Sequence, residues 1–187
     1  DKYLGEIHGL LGDIAVMEDS MDLARHYYEI AFEAFSKQND IKGATGVAIV
    51  LGNIAYVRDD LATAMQFYLK TIELAKTAGL NDWIPSVYLN IGSIHFKAGQ
   101  MKVAQDYFSQ ALEGFKENGN SLLEASAYEN LGMIYLDMGQ FDIARDYFQR
   151  ILDYYESEDQ HLRAAKALHN LSNIAFERGD YEDALSY

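Results

Sequence analysis

Tyr88-Leu89-Asn90-Ile91-Gly92-Ser93-Ile94-His95 returns 40 residues later as Tyr128-Glu129-Asn130-Leu131-Gly132-Met133-Ile134-Tyr135. The same step runs outward in both directions. Leu11-Gly12, Leu51-Gly52, Ile91-Gly92, Leu131-Gly132 and Leu171-Ser172 stand 40 apart, as do Ala24, Ala64, Ala104, Ala144 and Ala184. Tyr28, Tyr68, Phe108 and Phe148 keep the period, and so do Ile14, Ile54, Ile94, Ile134 and Ile174. A fixed period of this length marks a solenoid, in which each unit buries its apolar face only by stacking on its neighbours. The repeats fall at approximately 1–40, 41–80, 81–120, 121–160 and 161–187, the last one truncated, and together they predict a single array.

Within a repeat the apolar spacing is helical. Ile84, Val87, Tyr88, Ile91, Ile94 and His95 recur at steps of three and four along one face, and Val103, Ala104, Tyr107, Phe108, Ala111, Leu112 and Phe115 do the same after a break at Ala98-Gly99-Gln100. Gly99 suits the left-handed residue that ends a helix. Gly139 and Gly179 take its place in later repeats, and Asp19 and Asp59 in the first two, Asp being one of the few other residues that visits that conformation. Ser20, Asp60 and Asp180 follow as N-cap residues. The segments between repeats read as turns, and the lone proline, Pro85, falls in a predicted first turn where its missing N–H costs nothing. The prediction is all-α: about four and a half antiparallel helical hairpins and no strand. Glycine in the middle of each first helix costs about 1 kcal/mol against alanine. Its recurrence implies close approach of the second helix, with the alanines as the matching small surface and the aromatics filling the space between stacked repeats.

Composition narrows the function. Of 187 residues 29 are acidic and 15 are Lys or Arg, a formal charge of −14 that opposes nucleic acid and anionic membrane as partners. Cysteine is absent, which removes disulfides, thiolate chemistry and Cys-ligated zinc and suits a cytoplasmic protein. No apolar run approaches the length of a membrane span, and no signal-peptide pattern is present. A chain starting at Asp1 and stopping at Tyr187 reads as a piece of a longer polypeptide. His8, His26, His95, His161 and His169 form no His-Glu-x-x-His arrangement, and neither a phosphate-cradling glycine loop nor a Gly-x-Ser-x-Gly elbow occurs. The expectation is a non-enzymatic chain with no cofactor and no metal site.

Tyr88, Ile91, Gly92, His95, Ala104, Phe108 and Ala111 in one repeat, and Tyr128, Leu131, Gly132, Tyr135, Ala144 and Phe148 in the next, resemble the tetratricopeptide repeat. The usual repeat of that family is about 34 residues. The longer period here resembles the branch of LGN-type adaptors, kinesin light chains and bacterial peptide-sensing regulators. The resemblance implies a right-handed superhelix whose first helices line a concave, peptide-binding face. It places Asn53, Tyr56, Asn90, Phe96, Lys97, Glu129, Asn130, Met133, His169, Asn170, Asn173 and Phe176 in that groove. Asn90, Asn130 and Asn170 repeat in register, with Asn53 and Asn173 a turn further on. An amide offers both donor and acceptor, so such a ladder either clamps the backbone of an extended peptide or ties neighbouring helices together. The apolar row Val16, Tyr56, Phe96, Leu136 and Phe176 either anchors partner side chains or supports the hairpin turns. The family's carboxylate clamp for chaperone tails is disfavoured, because its places carry Gly9, Ile49, Leu89, Glu129 and His169, then Met17, Val57, Lys97, Asp137 and Glu177. The expected function is a protein- or peptide-binding scaffold with a basic or neutral partner. A peptide-sensing module of a bacterial transcription regulator or kinase is the alternative, as is self-association through the uncapped terminal repeat.

Overall fold

The computed structural model describes residues 3–187. Ten α-helices follow one another in it: α1 Leu4–Met17, α2 Met21–Lys37, α3 Ile41–Val57, α4 Leu61–Ala78, α5 Ile84–Lys97, α6 Met101–Glu117, α7 Ser121–Asp137, α8 Phe141–Ser157, α9 His161–Arg178 and α10 Tyr181–Ser186. No strand occurs among the described residues. Odd-numbered helices open a repeat and even-numbered ones close it. The architecture is the expected α-solenoid of hairpins. It divides into two compact units, one ending at Ile94 and the other beginning at His95.

The turns obey the residues that occupy them. Asp19, Asp59, Gly99, Gly139 and Gly179 all have positive φ, between 57° and 82°, at the turn inside the hairpin. Between repeats the same left-handed residue is Asn39, Gly79, Gly119 or Asp159. Side-chain capping is more selective than the sequence suggests. Asp40, Asp60 and Asn120 accept the backbone N–H three residues on, from Gly43, Thr63 and Leu123. Ser20 and Asp180 stand at N-cap places without such a bond. After Gly79 a short 3₁₀ turn, Asn81–Trp83, delays the start of α5, and Pro85 sits in its first turn.

Stacking is visible in the isoleucine that recurs in every first helix. Ile54, Ile94, Ile134 and Ile174 are at most 5% exposed, whereas Ile14, in the first repeat, is 51% exposed. Each repeat therefore depends on its neighbour for burial, as a quasi-one-dimensional array requires. Unit one has a core of Ala24, Tyr28, Ala31, Val47, Leu51 and Ile54 with further apolar residues packed against it. Unit two gathers Phe148, Ile151, Leu152, Leu171 and Ile174 in the same manner. Equivalent surface ion pairs join neighbouring helices in both units, Arg58 to Asp22 and Arg178 to Asp142. Being exposed, they contribute little.

The mid-helix glycines refine the packing expected from sequence. A Cβ at Gly52 would lie 2.5 Å from the Tyr68 ring, one at Gly12 2.8 Å from Tyr28, and one at Gly132 3.0 Å from Phe148. What approaches each glycine is the aromatic ring of its own hairpin, so the aromatics seat on the glycines rather than only filling the gaps between repeats. The alanines of the second helices are fully buried: Ala24, Ala64, Ala104 and Ala144 are 0% exposed.

Candidate functional site

In unit one Asn53 and Asn90 are joined. Asn53 Oδ1 accepts the Tyr68 hydroxyl at 2.8 Å and the Asn90 Nδ2 at 3.0 Å, linking α4, α3 and α5. One repeat earlier Asp13 holds the place of Asn53 and accepts the Tyr28 hydroxyl at 2.5 Å. Burial pushes both phenols well above the ordinary tyrosine value. For Tyr28 the Asp13 hydrogen bond and charge add to it, and for Tyr68 the neighbouring Tyr56 does. Both hydroxyls therefore stay protonated at neutral pH and act as the donors. The residue 15 places before the aromatic is an acceptor where that aromatic is tyrosine. Where it is Phe108 or Phe148, the same place holds Ser93 or Met133. Tyr56 is half-buried.

In unit two the ladder residues part company. Asn130 donates from Nδ2 to the Ser126 carbonyl of its own helix at 2.8 Å. Asn173 and His169 are bonded through Nδ2 and Nε2 at 3.1 Å, both exposed. Asn170 is half-buried and lines a recess with Glu129. Met133 packs against the unit's apolar core rather than facing outward. Phe176 is 61% exposed and meets Tyr181 edge-on at 5.5 Å. Phe96 is half-buried and Lys97 exposed. His95, expected at a packing place, is half-buried: its Nδ1 bonds Gln100 Oε1 at 2.5 Å and its ring stacks on Tyr107. It staples the hairpin turn.

Two equivalent recesses open between successive first helices, one in each unit. In unit one α1 and α3 wall a cavity of about 450 Å³ floored by Tyr28 and Phe35, with Trp83 at its edge. In unit two α7 and α9 wall one of about 300 Å³ floored by Phe148, Ile151 and Tyr155. Forty-residue register relates them, so Glu6, Gly9, Gly43 and Gly46 of the first correspond to Ser126, Glu129, Arg163 and Lys166 of the second. Reading the sequence by groove places missed Trp83 and Arg163, which stand at the third residue of their repeats and reach the recesses where neighbouring first helices pack side by side.

No three His, Asp or Glu side chains among the described residues are placed to hold a metal ion, and no helix there is long and apolar enough to cross a membrane.

The family model described as Tetratricopeptide repeat matches residues 83–157 and 123–187, together more than half of the chain. No curated protein matches. Among solved structures, BtubC (BKLC) from P. vanneervenii is similar with a TM-score of 0.85 and 22% identity, covering 98% of this chain and 77% of that one. A signal transduction ATPase with a tetratricopeptide repeat sensor, from Pyrococcus horikoshii, gives 0.83 and 22%, covering 94% of this chain and 28% of that one. A Rap protein complexed with competence and sporulation factor gives 0.77 and 18%, covering 98% and 51%. The chain thus spans about half or less of the last two. At these identities the likeness is one of fold.

Proposed function

The chain belongs to the tetratricopeptide-repeat family, and from that premise we propose that it is a binding scaffold that holds an extended protein segment along its first helices. One observation carries the reading: the Asn53–Asn90 pair. Their shared bond uses the Asn53 carbonyl and one Asn90 N–H. It leaves the Asn53 amide nitrogen as a donor and the Asn90 carbonyl oxygen as an acceptor for a peptide backbone. The two roles weighed from sequence, clamp and helix tie, are therefore compatible in one residue pair. Asn130 keeps its carbonyl and Asn170 its whole amide for the same use. In unit one Glu6 and Asp13 border the groove, which favours a basic or neutral ligand there. The expected setting is cytoplasmic.

The Asn90→Ala, Asn130→Ala double variant tests the clamp. Each net hydrogen bond is worth about 1 kcal/mol, so two lost bonds weaken binding of N-acetylated, C-amidated neutral dodecapeptides roughly tenfold to a hundredfold, read by fluorescence anisotropy. Helicity by circular dichroism stays unchanged. Equal affinity in the variant would remove the ladder from the mechanism.

A second reading, a peptide-sensing regulatory module, draws support from two of the similar structures, one bearing a repeat sensor and the other bound to a signalling factor. It differs in requiring the captured peptide to change the protein. Hydrogen-exchange protection that spreads beyond the groove helices on peptide addition would favour it over a passive scaffold.

A further inference from the structure

We propose that the recess between α7 and α9 is a specificity pocket for a glutamate side chain of the bound segment. The inference rests on the scaffold reading above and names one residue of its ligand. Arg163 and Lys166 stand on the α9 wall of this cavity of about 300 Å³. Neither has a carboxylate partner among the described residues: the basic side chains of unit two that do form ion pairs there include Arg145, with Asp142, and Arg178, with Asp142 and Asp180. Both stand at one cavity in a chain whose net charge is −14. The Arg163 guanidinium lies over the Tyr155 ring, 5.6 Å from its centroid, which holds it in place while leaving its N–H groups free to donate. Asn170 adds an amide without a hydrogen-bond partner on the same wall.

The lining selects which anion fits. Phe148 and Ile151 on the floor and Leu122 and Leu123 on the α7 wall are apolar, so a ligand group entering here must carry hydrocarbon beneath its charge. A glutamate does: its two methylenes meet the floor and its carboxylate reaches the guanidinium fork and the ammonium above, the pairing for which Arg is best shaped. Glu129 on the α7 wall carries the opposite sign and is placed to accept a backbone N–H of the same segment. The cationic character belongs to these residues and not to the fold, because the equivalent recess of unit one has Gly43 and Gly46 at the Arg163 and Lys166 places. Its charged groups are Glu6, Asp13 and Asp40 against Lys42 alone. The basic or neutral preference argued for the unit-one groove thus gives way to an acidic side chain at this one pocket.

The probe is an array of N-acetylated, C-amidated dodecapeptides of mixed Ser, Ala, Leu and Asn composition, synthesised in pairs that differ only by Glu or Gln at one position. Each pair is measured against the intact 187-residue chain. Glu members are expected to bind at least tenfold more tightly than their Gln mates. That preference should vanish in the Arg163→Gln, Lys166→Gln double variant and persist in Arg150→Gln, which removes a cation outside the recess. Circular dichroism melts confirm that all variants fold alike. No Glu over Gln preference or an equal loss in Arg150→Gln would overturn the assignment, as would a preference found only in companion peptides bearing a free C-terminal carboxylate or a phosphoserine. If Gln peptides bind and respond to the asparagine double variant while Glu confers nothing, the pocket falls and the scaffold stands. If no member of either kind binds, both fall.

Discussion

Replacing Phe148 by alanine should lower the stability of unit two by about 3–5 kcal/mol, the range for removing a fully buried aromatic from a core that relaxes only partly. The ring is 0% exposed, sits in the cluster with Ile151, Leu152, Leu171 and Ile174, and lies against Gly132, where a Cβ would be 3.0 Å away. Because Gly132 has no side chain, the place nearest the ring offers no group to refill the gap, so much of the cavity persists. At the conversion usual for a chain of this length the loss corresponds to a melting shift of roughly 6–20 °C. The effect should also be local. A solenoid passes stabilisation between neighbours, so amides of α7, α8 and α9 should lose hydrogen-exchange protection before those of α1 to α4. A shift equivalent to less than about 1 kcal/mol, or equal loss of protection at both ends of the chain, would show that Phe148 is not the keystone of its hairpin.

The features that could be read from sequence are those whose physics is local. Asp19, Asp59 and the turn glycines adopt positive φ because few other residues can, and a repeat displays that constraint once per unit. Helical spacing placed most buried residues of α5 and α6 for the same reason, although Val103 on the expected face is 40% exposed. The amides behaved differently. Asn90, Asn130 and Asn170 look alike in register, yet Asn90 bonds Asn53, Asn130 bonds its own helix and Asn170 makes no side-chain hydrogen bond among the described residues. The partner of Asn53 is set by what stands opposite it, Tyr68, 15 residues on, where later repeats carry Phe108 and Phe148. N-caps were overread likewise: an acceptor side chain at the right place is necessary, but Ser20 turns its hydroxyl to the Glu18 carbonyl instead. Lys166 is at a groove place that the resemblance implies, but Arg163, also on α9, stayed hidden because it acquires a meaning only beside Leu123 and Glu129 on α7, across a packing of helices that no single repeat records.

Gly52→Ala should destabilise the protein by about 1–3 kcal/mol, against the general rule that alanine improves a helix interior by about 1 kcal/mol over glycine. Two opposing effects meet here and geometry decides between them. The new Cβ would stand 2.5 Å from Tyr68 Cε1 and 2.7 Å from Cδ1. Tyr68 cannot yield cheaply, being 1% exposed and bound through its hydroxyl to Asn53. Displacing the ring also strains the Asn53 contact with Asn90, so affinity for neutral peptides should fall along with stability. Gly9 supplies the comparison. It too lies inside a first helix, but a Cβ there meets nothing within 4 Å, so Gly9→Ala should stabilise by up to about 1 kcal/mol. The decisive measurement is a double-mutant cycle by urea unfolding. In a Tyr68→Ala background the clash is gone, and adding Gly52→Ala should become neutral or favourable. If Gly52→Ala costs the same with and without the ring, the glycine is not there to seat the aromatic, and the packing rule inferred for every hairpin fails at the repeat where its contact is tightest.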